Sequence, residues 1–405
     1  MRDNGRRRIA GLIGLAVAGT LALAACGGGS SSSESSAAPA ASEAAPAEEA
    51  PAEEAAPAEE CTTPRPVKLQ LQWFAQAQFA GYYAAKDKGF YTDACLDVTI
   101  LEGGVDIVPQ TQLAQGNADF AISWVPKALA SREQGALITD VAQVFQKSGT
   151  LQVAWADSGI TGPADFKGKK IGNWGFGNEF EVFAAITKAG LDPAADVELV
   201  QQQFDMKGLL SREIDAAEAM TYNEYAQLLE TKNPETGELY KPEDFTVISY
   251  EEQGVGMYQD AIWASQERLA EADYQALTQD FVTASLKGWI YCRDNAAECA
   301  DIVTANGSKL GKSHQLWMMN EVNKLIWPSP AGVGVIDPAA WDRTVAVAVE
   351  TKNLEGATVI TAAPDAESYT NQFAEAANQA LQAEGLNTTG EEFVAIEVTL
   401  NEGGN

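Results

Sequence analysis

The sequence predicts an α/β protein built from two Rossmann-like lobes. Strand and helix patterns alternate in two separate blocks of the chain, which is typical of parallel β-α-β units. The two blocks also share a local order, since a polar segment ending in Asp119 or Asp215 precedes a short apolar strand in each. The chain of 405 residues is longer than one small hydrophobic core requires, which fits two lobes.

The segment 1–25 has the pattern of a signal peptide. A basic start at Arg6 to Arg8 precedes an apolar run over 9–23 that is too short to span a bilayer comfortably. The run ends in Leu-Ala-Ala-Cys, and small residues before Cys26 resemble the lipobox of bacterial lipoproteins, in which the cysteine is acylated. We therefore expect export and a lipid anchor at Cys26 on the extracytoplasmic face of the cell membrane. An ordinary signal peptide with an incidental cysteine is the alternative.

Residues 26–60 predict a disordered tether. A Gly/Ser stretch is followed by repeats of Pro-Ala-Glu-Glu, and the segment has no apolar periodicity. Such a segment cannot bury enough apolar surface to offset the entropy of ordering. The segment would hold a folded body away from a membrane.

The first block of the body predicts three strands separated by two helices. Its first strand alternates apolar and polar side chains as a half-buried strand does, and Gly89 ends the helix that follows. The predicted strands cover 67–73, 96–101 and 119–123, and the predicted helices cover 79–88 and 109–115.

The second block repeats this order around a glycine-rich turn over 173–178. The helix after the turn ends at Gly190, and the last strand of each block leads to an aromatic residue, Trp124 or Tyr222. The predicted strands cover 170–172, 197–201 and 215–220, and the predicted helices cover 179–189 and 207–213.

We expect lobe II to comprise residues 158–250, inserted into a lobe I that comprises 61–157 and 251–405. A strand pattern over 245–250 suggests a return toward lobe I, and amphipathic helical patterns dominate after residue 267. Two sequential domains are the alternative arrangement.

The formal net charge of −30 argues against binding to nucleic acid or to anionic lipid. Five cysteines include Cys26, which leaves an even number in an exported chain. We predict that Cys61 pairs with Cys95 and that Cys292 pairs with Cys299. Metal binding is weakly supported, because the chain has no Cys-x-x-Cys motif and a single histidine.

Candidate binding residues cluster at the ends of the predicted strands, where open α/β sheets bind ligands. Four strand ends present aromatic side chains beside amides and one carboxylate, a mixture that suits a flat, hydrogen-bonding heterocycle. The candidate ligand-binding residues are Trp73, Gln76, Gln78, Phe79, Trp124, Trp174, Phe176, Asn178, Tyr222 and Glu224.

Structural roles remain open for these residues. Trp73 and Trp124 could be core aromatics, Asn178 could cap the following helix, and Glu224 could be a solvated carboxylate. The glycine-rich turn beside a helix N-terminus could also hold an anion. We see no catalytic constellation and expect no cofactor, and His314 has no obvious partner in the sequence.

Several segments resemble one family as a set: LQWFAQAQFAGYYAA over 71–85, KGFY over 88–91, GNWGFGNE over 172–179 and MTYNEY over 220–225. They resemble the type II periplasmic binding proteins related to thiamine-pyrimidine synthases and to sulfonate-binding proteins. The resemblance covers roughly 67–265 and is nearest to binders of thiamine pyrimidine precursors or riboflavin. It implies a two-lobed clamshell with a ligand cleft at the hinge.

The resemblance implies a substrate-binding lipoprotein of an ABC importer, with a small aromatic heterocycle as ligand. The expected partners are that small molecule, an ABC transporter permease and the membrane through the lipid anchor, with no nucleic acid, and the protein is expected to be a monomer. An alkanesulfonate or taurine binder is an alternative. A pyrimidine synthase is another, although the cysteine-rich iron motif of that enzyme branch is absent here and His314 lies outside the matched region.

Overall fold

The computed structural model describes residues 61–175 and 177–405, which contain two five-stranded sheets. The strand order is β2-β1-β3-β10-β4 in the first sheet and β7-β6-β8-β5-β9 in the second. We call each sheet with its flanking helices lobe I and lobe II. The strands are β1 (Arg65–Gln70), β2 (Leu96–Leu101), β3 (Phe120–Trp124), β4 (Ile138–Gln143), β5 (Thr150–Trp155), β6 (Lys170–Asn173), β7 (Glu198–Gln201), β8 (Ala216–Met220), β9 (Phe245–Ser249) and β10 (Asp260–Ser265).

The two sheets have the same topology. In lobe I, β1 pairs in parallel with β2 and β3, and β10 runs antiparallel between β3 and β4. In lobe II, β6 pairs in parallel with β7 and β8, and β5 runs antiparallel between β8 and β9. The antiparallel strand of each sheet is the one that enters from the other lobe, so the chain crosses between the lobes twice.

The boundary expected at residue 158 differs from the structure. The strand β5 pairs with β8 and β9, so the second sheet already begins at Thr150. The strand β9 completes this sheet, and the return to lobe I lies in the segment 250–259 that follows it. The strand β5 pairs with β8 and β9, and β10 pairs with β3 and β4. Most of these partners are far away in sequence, so local patterns do not reveal the pairing.

The helices of lobe I come from both ends of the described chain. Lobe II contributes α5, α6 and α7. The helices are α1 (Ala80–Asp87), α2 (Phe90–Asp93), α3 (Pro109–Ala114), α4 (Val125–Glu133), α5 (Phe180–Lys188), α6 (Lys207–Leu210), α7 (Glu224–Leu229), α8 (Ala272–Asp294), α9 (Ala296–Ala305), α10 (Lys312–Ile326), α11 (Pro338–Glu350) and α12 (Gln372–Ala383). No helix in the described ranges is long and apolar enough to cross a membrane.

The core of lobe I depends on the close approach of α1 and α8. A Cβ atom added to Gly288 would lie 2.0 Å from the carbonyl oxygen of Gly81, so only glycine permits this contact. Beside it, the ring centroids of Phe120 and Phe281 lie 4.2 Å apart in parallel planes. Burial of such large rings supplies the main favourable term in folding.

The structure contains two disulfides, between the cysteines that the sequence analysis pairs. Cys61 is bonded to Cys95, which joins the segment before β1 to the start of β2. Cys292 is bonded to Cys299, which joins the end of α8 to α9.

Two segments, 144–149 and 250–259, connect the lobes, and one side chain joins them. The Gln259 carbonyl oxygen accepts a hydrogen bond from the backbone N–H of Gly149 at 2.9 Å. Its amide nitrogen donates to the hydroxyls of Ser148 at 3.2 Å and Thr150 at 2.8 Å. These bonds tie the two crossing segments into one hinge.

Candidate binding cleft between the lobes

A cavity of about 550 Å³ opens between the lobes at the carboxyl ends of several strands. Lobe I contributes residues that follow β1 and β3, and lobe II contributes residues that follow β6, β7 and β8. Ligand cavities usually have a volume of about 300–1,000 Å³ and mostly apolar walls.

Most of the candidate residues from the sequence meet at this cavity. The candidates among its lining residues are Trp73, Gln76, Gln78, Trp124, Trp174, Asn178, Tyr222 and Glu224. Phe176 lies outside the described residues, as does Cys26.

Phe79 is not among the cavity-lining residues. The turn Ala77–Phe79 directs its ring into the core of lobe I, where the residue is fully buried. The structure therefore gives Phe79 a place in the core of lobe I, in contrast to the expected position on the cavity wall. The local sequence does not show that Gln76 and Gln78 reach the cavity while the neighbouring ring turns inward.

Aromatic rings from both lobes meet at the cavity. The Phe204 ring centroid lies 5.2 Å from that of Trp73 in lobe I and 6.1 Å from that of Trp174 in lobe II. Phe204 is 38% exposed, which is unusual for a phenylalanine and leaves its ring accessible to a ligand. Phe204 is not among the candidates predicted from the sequence, although its position just after the end of β7 satisfies the strand-end rule.

Asp260 fixes the orientation of three cavity side chains from behind the wall. Its carboxylate accepts hydrogen bonds from the Gln72 amide at 2.6 Å, from the Gln78 amide at 3.0 Å and from the Trp124 indole N–H at 2.8 Å. Burial raises the pKa of Asp260 to about 7, although these hydrogen bonds favour the ionised form. Asp260 lies at the start of β10, and no local pattern in the sequence indicates this role.

The bonds to Asp260 also set the direction of the next amides. The ionised Asp260 carboxylate only accepts, so in that form Gln78 directs its NH₂ group toward Asp260 and its carbonyl oxygen elsewhere. That oxygen accepts from the Gln76 amide nitrogen at 2.6 Å. The Gln76 carbonyl oxygen has no hydrogen-bond partner within the described ranges, and the residue lines the cavity. Gln76 therefore presents an acceptor to a ligand.

Glu224 presents a second acceptor on the wall of lobe II. Its carboxylate accepts from the backbone N–H of Met220 at 2.9 Å and from the Asn223 amide at 2.7 Å. Burial raises the pKa of Glu224 to about 7. The solvated role considered for Glu224 does not apply, since the side chain is buried.

Two residues that line the cavity, Gln110 and Trp174, each have a fully buried polar atom without a partner within the described residues: the Gln110 side-chain carbonyl oxygen and the Trp174 indole N–H. Buried polar groups are usually hydrogen-bonded, so these two atoms are exceptions beside the cavity. The loop that holds Trp174 is itself fixed, because the backbone N–H of Trp174 donates a hydrogen bond to the Glu218 carboxylate at 2.8 Å.

Asn178 stabilises the glycine-rich turn. Its amide nitrogen donates to the Gly175 carbonyl oxygen at 2.8 Å, and no side chain caps the N-terminus of α5. Asn178 therefore supports the shape of the turn as well as lining the cavity, and the capping role considered for it is not observed.

Lys127 is the basic residue among the described residues that line the cavity. Its ammonium nitrogen lies 4.8 Å from the centroid of the Trp124 ring. Burial lowers the pKa of Lys127 to about 8, and the nearby carboxyls of Glu218, Glu179 and Asp260 oppose this effect.

The described residues contain no group of three or more His, Cys, Asp or Glu side chains placed to hold a metal ion. The histidine of the chain, His314, is not among the residues that line the cavity. The cleft therefore combines aromatic faces with acceptor-rich edges, and its described residues provide the means to bind and orient a planar ligand.

A family model described as NMT1/THI5 like matches residues 76–299, more than half of the chain. The formylaminopyrimidine-binding protein of Halalkalibacterium halodurans is 22% identical over 241 residues, which are 59% of this chain and 70% of that protein. The riboflavin-binding protein RibY of Chloroflexus aurantiacus is 25% identical over 325 residues, 76% of this chain and 85% of that protein. A 4-amino-5-hydroxymethyl-2-methylpyrimidine phosphate synthase of Legionella pneumophila is 25% identical over 130 residues, 32% and 41% respectively.

A solved structure shows the same fold. The periplasmic aliphatic sulphonate binding protein SsuA of Escherichia coli superposes with a TM-score of 0.52 at 12% identity. The match covers 83% of this chain and 94% of SsuA. The two-lobed α/β architecture is thus that of periplasmic binding proteins.

Proposed function

The chain belongs to the NMT1/THI5-like family, and from that premise we propose that it is an exported solute-binding protein that captures a small aromatic heterocycle for an ABC importer. The observation that supports this proposal most is the cavity of about 550 Å³ between two hinged lobes, with Trp73 and Trp174 on its walls. Binding proteins of this shape enclose a ligand by hinge closure.

The chemistry of the walls favours a ligand with N–H donors on its edge. Gln76 and Glu224 each place an oxygen acceptor at the cavity, and the indole rings offer faces for stacking. An amino-substituted pyrimidine combines a flat ring with such donors. The relatives named as binders of formylaminopyrimidine and of riboflavin support ligands of this class.

A sulfonate is less well suited to this cleft. A sulfonate needs several donors or cations, whereas Lys127 is the basic side chain among the described cavity residues. Its ammonium group already lies against the Trp124 ring, and the Asp260 carboxylate lies directly behind that ring. Placing an anion here would bring it close to buried carboxylates.

A synthase activity is also less well supported. The family resemblance implies that such an enzyme would use its own histidine as a reactant, but His314 is buried and hydrogen-bonded outside the cavity. The four cysteines in the described ranges are all in disulfides. We infer that the chain binds its ligand without converting it.

Export and anchoring through Cys26 are part of the proposal. Disulfides persist in oxidising compartments, so the bonds Cys61–Cys95 and Cys292–Cys299 support a location outside the cytoplasm. We propose that the lipid anchor holds the protein beside its permease, which fits a monomeric carrier.

A thermal-shift panel tests the proposal. The purified protein is heated with 4-amino-5-hydroxymethyl-2-methylpyrimidine, formylaminopyrimidine, riboflavin, taurine or pyridoxal phosphate. A ligand present at one hundred times its Kd stabilises the folded state by about 2.7 kcal/mol, so the melting temperature should rise by several degrees with a heterocycle. A rise with taurine alone would replace the proposal with a sulfonate binder, and a rise with pyridoxal phosphate alone would favour a synthase.

A further inference from the structure

His314, the single histidine of the chain, links the two lobes. It lies on α10 of lobe I and is only 1% exposed. Its Nδ1 atom lies 2.9 and 3.0 Å from the two carboxylate oxygens of Glu230, and its Nε2 atom lies 3.0 Å from the Asn223 carbonyl oxygen. Both of these partners belong to lobe II. Because a carboxylate accepts hydrogen bonds, the Nδ1 atom must donate.

The Asn223 amide determines the role of the other ring nitrogen. Its NH₂ group donates to the Glu224 carboxylate at 2.7 Å, so its carbonyl oxygen must face the histidine. The Nε2 atom then also donates. A ring that donates from both nitrogens is an imidazolium cation, and Glu230 compensates its charge.

We propose that His314 is a positioning residue, which keeps Glu224 as an ionised acceptor at the cavity wall while lobe I and lobe II are packed together. The chain Glu230–His314–Asn223–Glu224 begins at the contact between the lobes and ends at the cavity. This inference rests on the proposed function in treating that cavity as the ligand site.

The contact between the lobes is extensive around His314. The Trp317 indole donates to the Thr221 carbonyl oxygen at 3.1 Å, and the Thr221 hydroxyl donates to Glu321 at 2.9 Å. The backbone N–H of Gly403 donates to the Glu230 carbonyl oxygen at 3.1 Å. Opening of the cleft that separated α10 from lobe II would break these bonds and free the Asn223 amide to rotate.

The electrostatics agree with this geometry. Burial raises the pKa of Glu224, and the charge of His314 acts in the opposite direction. The other charged groups nearby are the ion pair of Lys232 with Glu402, and the Glu321 carboxylate, which bonds Thr221 and Lys324. No second cation in the described ranges bonds the Glu230 or Glu224 carboxylate. The imidazolium bonds Glu230 directly and is linked to Glu224 through the Asn223 amide.

A second arrangement of the protons along this chain must be excluded by experiment. If the Asn223 amide were reversed, its NH₂ group would donate to a neutral His314 and its oxygen would accept from a protonated Glu224. The two arrangements contain the same number of protons. They differ in the charge that the cavity wall presents, and only the first attracts an amino group strongly.

Nitrogen NMR distinguishes the two arrangements without a ligand. Because the chain has one histidine, labelling with ¹⁵N-histidine gives a single pair of ring signals in the full chain. We expect both nitrogens to be protonated at neutral pH, with slowly exchanging N–H protons, as burial of the ring predicts. One unprotonated nitrogen would overturn the inference, whether or not a ligand has been found.

A double-mutant cycle then tests the action through Glu224. His314→Gln removes the cation, and calorimetry with 4-amino-5-hydroxymethyl-2-methylpyrimidine should show a Kd about tenfold higher. In the Glu224→Gln background the same change should raise the Kd twofold at most, because the acceptor it supports is gone. Equal losses in both backgrounds would show a general structural role and contradict the proposal. Failure of every variant and of the wild type to bind this probe would count against the proposed function, and the NMR result would still decide the role of His314.

Discussion

Replacement of Asp260 by asparagine should reverse the hydrogen-bond polarity that the cleft presents to its ligand. In the native protein the carboxylate forces the Gln78 and Gln76 amides into one direction, with the Gln76 oxygen toward the cavity. The new carboxamide brings an NH₂ group to the position that faces Gln78. Rotation of both glutamine amides restores their mutual bonds, and Gln76 then presents its NH₂ group to the ligand.

The expected loss of affinity follows from the one hydrogen bond at Gln76 in which the ligand would meet a donor instead of an acceptor. A ligand amino group that meets a donor instead of an acceptor leaves a buried group unsatisfied, which costs about 1–3 kcal/mol. This corresponds to a Kd about 5–150-fold higher for 4-amino-5-hydroxymethyl-2-methylpyrimidine. Its 4-oxo analogue, which offers an acceptor at the same place, should bind more tightly to the Asp260→Asn variant than to the wild type.

Calorimetry with the two analogues measures the ratio of their affinities. Asp140→Asn is the matched control, because Asp140 is also a fully buried carboxyl of the first sheet but does not line the cavity or bond a residue that does. The control should preserve the preference for the amino compound. An equal loss of affinity for both analogues in Asp260→Asn would refute the proposed relay of amide orientations.

Three further changes have defined outcomes. Trp174→Ala should raise the Kd of a stacked heterocycle by more than tenfold in calorimetry, because ring stacking contributes about 1 kcal/mol beyond the lost apolar area. Trp155 lies outside the cavity, so the control variant Trp155→Phe should leave the Kd unchanged. Burial raises the pKa of Glu181 to about 7, so the folded state binds its proton more tightly than the unfolded state does. Stability should therefore fall as the pH rises from about 4.5 to about 7, by up to about 1.4 kcal/mol per pH unit for this group, and urea titrations of Glu181→Gln should show a shallower decline. Cys26→Ser should move the protein from the membrane fraction to the soluble exported fraction, and retention in the membrane would contradict the proposed anchor.

The sequence was most informative where local patterns determine structure. Alternating apolar residues, together with glycines that end helices, predicted the parallel strands β1, β2 and β3 and the helices between them. The pairing of Cys292 with Cys299 also followed, since the two residues are close along the chain. The strand-end rule brought most of the candidate residues to one cavity.

The features that the sequence did not reveal depend on contacts across the fold. The Gln78 amide and the Asp260 carboxylate are 182 residues apart, and His314 is 84 residues from Glu230. Such pairs leave no periodic signal, so the sequence indicates neither the role of Asp260 nor an obvious partner for His314. The strand β10 was missed for a related reason, because it begins with the buried Asp260 rather than with an apolar run.

The most direct test of the central claim is calorimetric titration of the purified protein with 4-amino-5-hydroxymethyl-2-methylpyrimidine and with formylaminopyrimidine. We expect saturable binding of at least one of them at a single site per chain, with a clear loss in Trp174→Ala. We also expect weaker binding of the 4-oxo analogue, because Gln76 and Glu224 present acceptors. Absence of binding by both amino compounds, together with tight binding of taurine, would contradict the assignment of the cleft to an amino-substituted heterocycle.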